Sequence, residues 1–187
     1  MDAKPHDDHT TTLGVRDAPT VTPSGERLDA FIDGVKVHRT PVHPDHRGRV
    51  FEVYNAAHEY WTTPVVQTYV FTVRPGTAKG WGYHEHKDDR YVLISGEMLV
   101  VMWDGREDSP THGMVQRVLL SPQSTRMVTI PRRVWHIDIN VGTDECVTMN
   151  HPTEPYDYAN PDRRLLPWDS PEIPVDLREY FPVQWGP

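Results

Sequence analysis

The sequence predicts an all-β domain, a sandwich or jelly-roll barrel, on three observations. Short runs rich in β-branched and aromatic residues, VVQTYVFTV (65–73), RYVLISGEMLVVMW (90–103), MVQRVLLS (114–121), TRMVTIP (125–131) and VWHIDINV (134–141), are separated by Gly, Pro, Asn and Asp. That is the rhythm of strands and turns. No stretch carries the apolar period of about 3.6 residues that marks a helix. The 18 prolines stand mainly between and after the runs, where they suit edge strands and extended loops.

Taken in order, residues 1–30 are rich in Asp, Thr, Pro and His with few large apolar side chains. Such a composition buries too little surface to offset chain entropy, so a flexible tail is expected. Its His6 and His9 are read as solvated, with loose metal chelation the alternative. From Phe31 the strand pattern begins, and residues 31–187 are expected to form one domain with a Pro-rich C-terminal extension. Ser95-Gly96 fits a hairpin turn in the middle of its run, and MVQRVLLS alternates in part around Gln116 and Arg117.

A net charge of −8 argues against general affinity for nucleic-acid phosphates or an anionic membrane face. A phosphate-bearing small molecule would need a local basic pocket. The single Cys146 can form no intrachain disulfide, which favours a reducing compartment and a packing role. The opening MDAKPHDDHT lacks the features of a signal peptide, and no segment approaches about 18 consecutive apolar residues. A cytoplasmic protein is expected.

The segment 76-GTAKGWGYHEHKDDRYVLISG-96 concentrates titratable groups between glycines. On a strand, residues two apart share a face, so Gly82, His84 and His86 are expected on one side. The spacing Gly76, Gly82, His84, Asp89, Gly96 resembles the first motif of cupin barrels, with Gly82 at its first histidine and Asp89 at its glutamate. The second motif is similar to 131-PRRVWHIDIN-140, with Pro131, His136 and Asn140 in place and Arg133 where glycine is usual. The resemblance implies a cupin jelly-roll β-barrel with His84, Asp89 and His136 facing its interior. Two imidazoles and a carboxylate suit one divalent ion such as Fe, Mn, Ni or Zn, with positions left for substrate. The alternative is a metal-free site in which the histidines hydrogen-bond a ligand and Asp89 pairs with Arg90 or Lys87. No organic cofactor is implied.

More of the chain, from about Val37 to Leu177, resembles one cupin branch, the dTDP-4-dehydrorhamnose 3,5-epimerases. The pieces are 45-DHRGRVFE-52, 104-DGREDSPTHG-113, 130-IPRRVWH-136 and 168-WDSPEIP-174. In that family the positions of Arg47 and Glu52 contact the nucleotide-sugar and a basic residue at Lys79 helps bind phosphate; a turn ion pair is the alternative for Arg47 and Glu52. Asp104, Arg106 and Ser109 are expected to shape a loop. The family's catalytic histidine falls at Gly82, its tyrosine near Asn150 and its strand lysine at Asp89. Ordinary epimerase residues are therefore absent, and His84 and His136 become the catalytic candidates, with Asn150 among the substrate contacts. Trp81, Trp135 and Tyr156 are read as core or interface packing, with stacking on a sugar as the alternative. The branch also implies a homodimer, with 31-FIDGVKVHRT-40 as a segment for strand exchange.

Three functions stay open at this point. One is an isomerase or epimerase acting on a keto-sugar nucleotide or related small metabolite. Another is a metal-dependent oxygenase, lyase or cyclase. The third is a catalytically silent sugar-binding cupin. None calls for a nucleic-acid or membrane partner.

Overall fold

The computed structural model describes residues 18–25, 28, 30–123 and 127–181. The chain divides between Ala30 and Phe31, and the architecture below is that of the second part. Much of the expected tail, His6 and His9 included, lies outside the described residues.

Among the described residues, twelve strands carry the fold. The first four are β1 (Lys36–His38), β2 (Val42–Asp45), β3 (Gly48–Phe51) and β4 (Tyr69–Val73). The next four are β5 (Ala78–Tyr83), β6 (Asp89–Ser95), β7 (Met98–Trp103) and β8 (Val115–Leu120). The last are β9 (Met127–Ile130), β10 (Trp135–Asn140), β11 (Cys146–Asn150) and the short β12 (Arg164–Leu165). Among the described residues the only helical element is a single 3-10 turn, Arg178–Tyr180. No helix there is long and apolar enough to cross a membrane.

Two five-stranded sheets face each other in a jelly roll, in the orders β1-β9-β6-β11-β4 and β12-β5-β10-β7-β8; β2 and β3 form a separate hairpin. The segment 31–40, expected to exchange between subunits, places its Lys36–His38 beside β9 of the same chain. Ser95-Gly96 does not close a hairpin. β6 lies between β9 and β11 while β7 lies between β10 and β8, so this turn carries the chain from one sheet to the other. Gly96 is needed there for two reasons: its φ is +84°, and a Cβ would stand 2.8 Å from the Cα of Cys146.

Alternation decides what each strand buries. On β6, Tyr91 and Leu93 join a core with Met98, Val100, Val128 and Ile130 between the sheets, while Val92 packs outward with Trp61 and Met127. β10 reverses the usual arrangement. Its apolar Ile137 and Ile139 pack with Trp81, Ile173 and Leu177 under the C-terminal segment, so the polar set His136, Asp138 and Asn140 has the opposite face, toward the interior. Free Cys146 is buried in the first core, its thiol pushed up to about 11 by burial.

Candidate active site

His84 stands just beyond the end of β5 and is held from both ends. Its carbonyl accepts the Arg133 N–H at 2.7 Å, and its Nδ1 meets the carbonyl oxygen of Asp162. Arg133 has φ +66°, the left-handed conformation for which the resembling motif uses glycine; its guanidinium reaches Asp108 at 3.2 and 3.3 Å. The expectation that His86 shares the face of His84 is corrected. The Asp162 carboxylate accepts the N–H groups of Glu85 and His86 at 2.8 and 3.0 Å, which ends the strand before alternation reaches His86, and that residue is exposed.

Asp89 opens β6 on the same interior. Its Oδ2 lies 3.2 Å from His84 Nε2 and 3.5 Å from His136 Nε2, and its Oδ1 accepts from the Asn150 amide at 2.7 Å. Arg90 is not its partner. It points to the other face, donating to the carbonyls of His151, Thr63 and Pro64 and lying over Trp61. Lys87 places its ammonium 5.8 Å from the Tyr156 ring centre. Asn150, fully buried, also donates to Tyr69 Oη at 2.8 Å and accepts the Arg90 N–H at 3.0 Å. It bridges strands rather than lining the open space.

Two residues that the motif reading missed complete the cluster. Tyr91 follows Asp89 by two positions, and Asp138 follows His136 by two, so period-two alternation alone would have found both. The Tyr91 hydroxyl lies 3.3 Å from His136 Nε2 and donates to Asp138 Oδ2, also at 3.3 Å. Asp138 Oδ1 is buried without a hydrogen-bond partner.

Burial pulls these groups apart electrically. It raises the Asp89 carboxyl, but the hydrogen bond and charge of His84, the His136 ring and the Asn150 amide outweigh it and hold the group at about 2. It pushes His136 down to about 4 against the pull of Asp89. It lifts Asp138 to about 8, with repulsion from Asp89 adding to the rise, and it carries the Tyr91 phenol well above its ordinary value.

Asp138 makes a stability prediction. A folded value near 8 exceeds the unfolded carboxyl value, so the native chain holds an extra proton between the two. The associated stability is fully present below about pH 4 and is lost as the pH rises through 8. In EDTA-containing buffer, Asp138→Asn should remove a decline approaching about 1.4 kcal/mol per pH unit within that window, read from urea unfolding at pH 5 to 8. Parallel slopes for the two proteins would assign the burial penalty to another group.

These side chains line a cavity of about 330 Å³, with Lys79, Lys87 and Arg163 as its cations and Tyr69, Phe71 and Tyr156 as its aromatic walls. Gly82 leaves part of one wall open: a Cβ there would lie 3.4 Å from His136 Nε2.

A family model described as dTDP-4-dehydrorhamnose 3,5-epimerase matches residues 29–184. The chain belongs to the dTDP-4-dehydrorhamnose 3,5-epimerase family. It is 33% identical over 140 residues to a probable low-salt glycan biosynthesis epimerase, Agl13, of Haloferax volcanii, covering 74% of this chain and 89% of that one. A dTDP sugar isomerase from Desulfovibrio desulfuricans superposes with a TM-score of 0.72 at 25% identity, over 78% of this chain and 91% of its own. A 3,5-epimerase from Legionella pneumophila, solved with dTDP-4-keto-L-rhamnose, shares the fold with a TM-score of 0.67 at 22% identity, over 79% and 80% of the two chains.

Within this member of the dTDP-4-dehydrorhamnose 3,5-epimerase family, the expected site residues separate into two groups. His84, Asp89, His136 and Lys79 meet at the cavity, with Asn150 directly behind it. Arg47 and Glu52 do not. Arg47 lies in the β2–β3 turn, largely exposed and paired with Asp45 at 2.6 Å. Glu52 lines a smaller hollow with His38, Tyr54, His58 and Trp61. Asp104 gathers Arg106, Ser109 and Thr111 into a hydrogen-bonded loop. Of the aromatic residues, Trp81 is core and Trp135 packs on Tyr83, whereas Tyr156 stands at the cavity.

Proposed function

We propose that this protein is an isomerase or epimerase acting on a nucleotide-linked keto-sugar, working with residues other than the family's usual pair. One observation carries the reading: the Tyr91 hydroxyl lies 3.3 Å from both His136 and Asp138 at the wall of a cavity that also holds three cations. Lys79, Lys87 and Arg163 form the local basic patch that a diphosphate requires in an otherwise acidic protein.

Epimerisation or isomerisation beside a ketone removes a carbon-bound proton and returns one. In this reading Asp138, in the carboxylate form that it gains as the pH approaches 8, takes the proton, the electron pair moves to the ketone oxygen as an enolate, and Tyr91 returns a proton to carbon. The tyrosinate regains its proton from Asp138 along their hydrogen bond, so the site ends as it began. The His84 and His136 side of the cavity faces the developing oxyanion. The reading includes a homodimer, in which the exposed β2–β3 hairpin with Arg47 is available to a second copy.

Incubation of the protein in deuterium oxide with a dTDP-linked 4-keto-6-deoxy sugar tests this. Deuterium should enter at a carbon next to the ketone. Binding without exchange would leave the silent sugar-binding reading, and neither binding nor exchange would remove nucleotide-sugar chemistry altogether. A second reading, the metal-dependent cupin oxygenase, lyase or cyclase, draws on the His84, Asp89 and His136 cluster.

A further inference from the structure

The two histidines of the cavity are oriented by different means. His136 lies within β10, and its Nδ1 is 3.3 Å from the carbonyl oxygen of Val134, two residues back on the same segment. Its orientation is local. His84 lies one residue past β5, where the ladders have run out: β10 reaches Gly82 through His136, and β12 reaches Tyr83 through Arg164. Among the described residues no cross-strand pair includes it. The Arg133 N–H holds the His84 carbonyl, which fixes the chain there and leaves the ring free to turn. A histidine ring has a broad, roughly two-fold torsion about its outer bond, so an unheld ring visits orientations with Nε2 turned away.

One residue far along the chain supplies the missing hold. Asp162 meets three consecutive residues from a single Cα: its carbonyl oxygen accepts from His84 Nδ1, and its carboxylate accepts the N–H groups of Glu85 and His86 at 2.8 and 3.0 Å. A carbonyl oxygen only accepts, so the hydrogen of the first contact stands on Nδ1. With Nδ1 held on that side, Nε2 faces the cavity and meets Asp89 Oδ2 at 3.2 Å. The carboxylate bonds are of the stronger, charge-assisted kind. Since carboxylate and carbonyl belong to one residue, anchoring the first beside Glu85 and His86 sets where the second lies under the ring.

We propose that Asp162 is the positioning residue of His84: its carboxylate pins the chain before β12 to the amides beyond β5, and its carbonyl then keeps the imidazole turned into the cavity. The consequence for rate rests on the isomerase reading. The placement of the ring does not. Arg163, the next residue, lines the same cavity and is held from its other side by the pairing of Arg164 with Tyr83, so loss of the Asp162 carboxylate acts on His84 before it acts on this cation.

Asp162→Ala keeps the carbonyl and removes its anchor, whereas Asp162→Asn keeps one acceptor oxygen. In ¹⁵N-labelled full-length protein, the His84 Nδ1–H resonance is identified by its disappearance in His84→Ala. It should be sharp in the wild type, weakened in Asp162→Asn and lost to exchange with water in Asp162→Ala, with the circular dichroism spectrum unchanged. Deuterium exchange into a saturating dTDP-linked 4-keto-6-deoxy sugar should slow by about 100-fold in Asp162→Ala, the size expected when a group at the reacting centre is misplaced by about 1 Å. KM should change little. In a His84→Ala background the same substitution should slow exchange by less than about threefold, because the two residues then no longer act through each other. Should Asp162→Ala fail to fold, Asp162→Asn carries both measurements. A His84 Nδ1–H resonance of full intensity in the folded variant would overturn the proposal, as would equal losses of exchange with and without His84. If the wild type itself shows no exchange, the isomerase reading fails and the resonance alone decides the positioning.

Discussion

His136→Ala is expected to slow solvent-deuterium exchange into a bound keto-sugar by about 10² to 10³-fold, the usual size of a lost group at the oxyanion. The imidazole is nearly buried, accepts or donates at Tyr91 Oη 3.3 Å away, and faces Asp89 at 3.5 Å. Removing it takes away the group that fixes the Tyr91 hydroxyl on one side and one of the donors that faces the reacting oxygen. The fold should survive, because the apolar face of β10, Ile137 and Ile139, is untouched. Exchange within threefold of wild type, in a variant whose thermal midpoint has not moved, would show that the developing oxyanion does not lie at His136.

Trp81→Ala should cost about 3–5 kcal/mol of folding stability, the range for removing a buried Trp or Phe. Trp81 is fully buried among Val101, Ile137, Ile139, Ile173 and Leu177, and its Nε1 donates to the Trp168 carbonyl at 3.2 Å. The backbone pairing of Trp81 with Leu166, 2.9 Å in both directions, remains possible in the variant. The loss should therefore show first as protease sensitivity of the segment beyond Leu166, then as a lower urea midpoint. A loss below about 1.5 kcal/mol would mean that the site collapses and refills far better than cavities of this size ordinarily do.

Both predictions depend on alternation, which made much of this molecule legible in its sequence. The strand runs, the interior placement of His84, Asp89 and His136, and the loop around Asp104 follow from short-range pattern and motif spacing. Tyr91 and Asp138 were equally legible, since each lies two residues beyond a named ligand, but a reading tied to family motifs passed over them. Other features depend on contacts remote in sequence. His86 turns outward because Asp162, 76 residues later, captures its N–H. The turn at Ser95-Gly96 carries the chain between sheets with Cys146 of β11 packed close on Gly96, a contact that no local pattern reveals. Arg47 and Glu52 match the family in sequence, yet the hairpin and hollow that hold them lie apart from the cavity of the same chain.

The reversed faces of β10 separate cohesion from the polar groups that line the cavity. Cohesion is carried by Ile137 and Ile139 against the C-terminal segment and by the apolar half of the interior around Leu93, Met98 and Val128. In the proposed function, reactivity falls to His136 and Asp138 on the other side of the same strand. A change at His136 or Asp138 therefore leaves the principal apolar clusters intact. Such a scaffold tolerates exchange of its reactive groups one at a time, and a lineage built on it can pass through intermediates that have lost one activity without losing the fold.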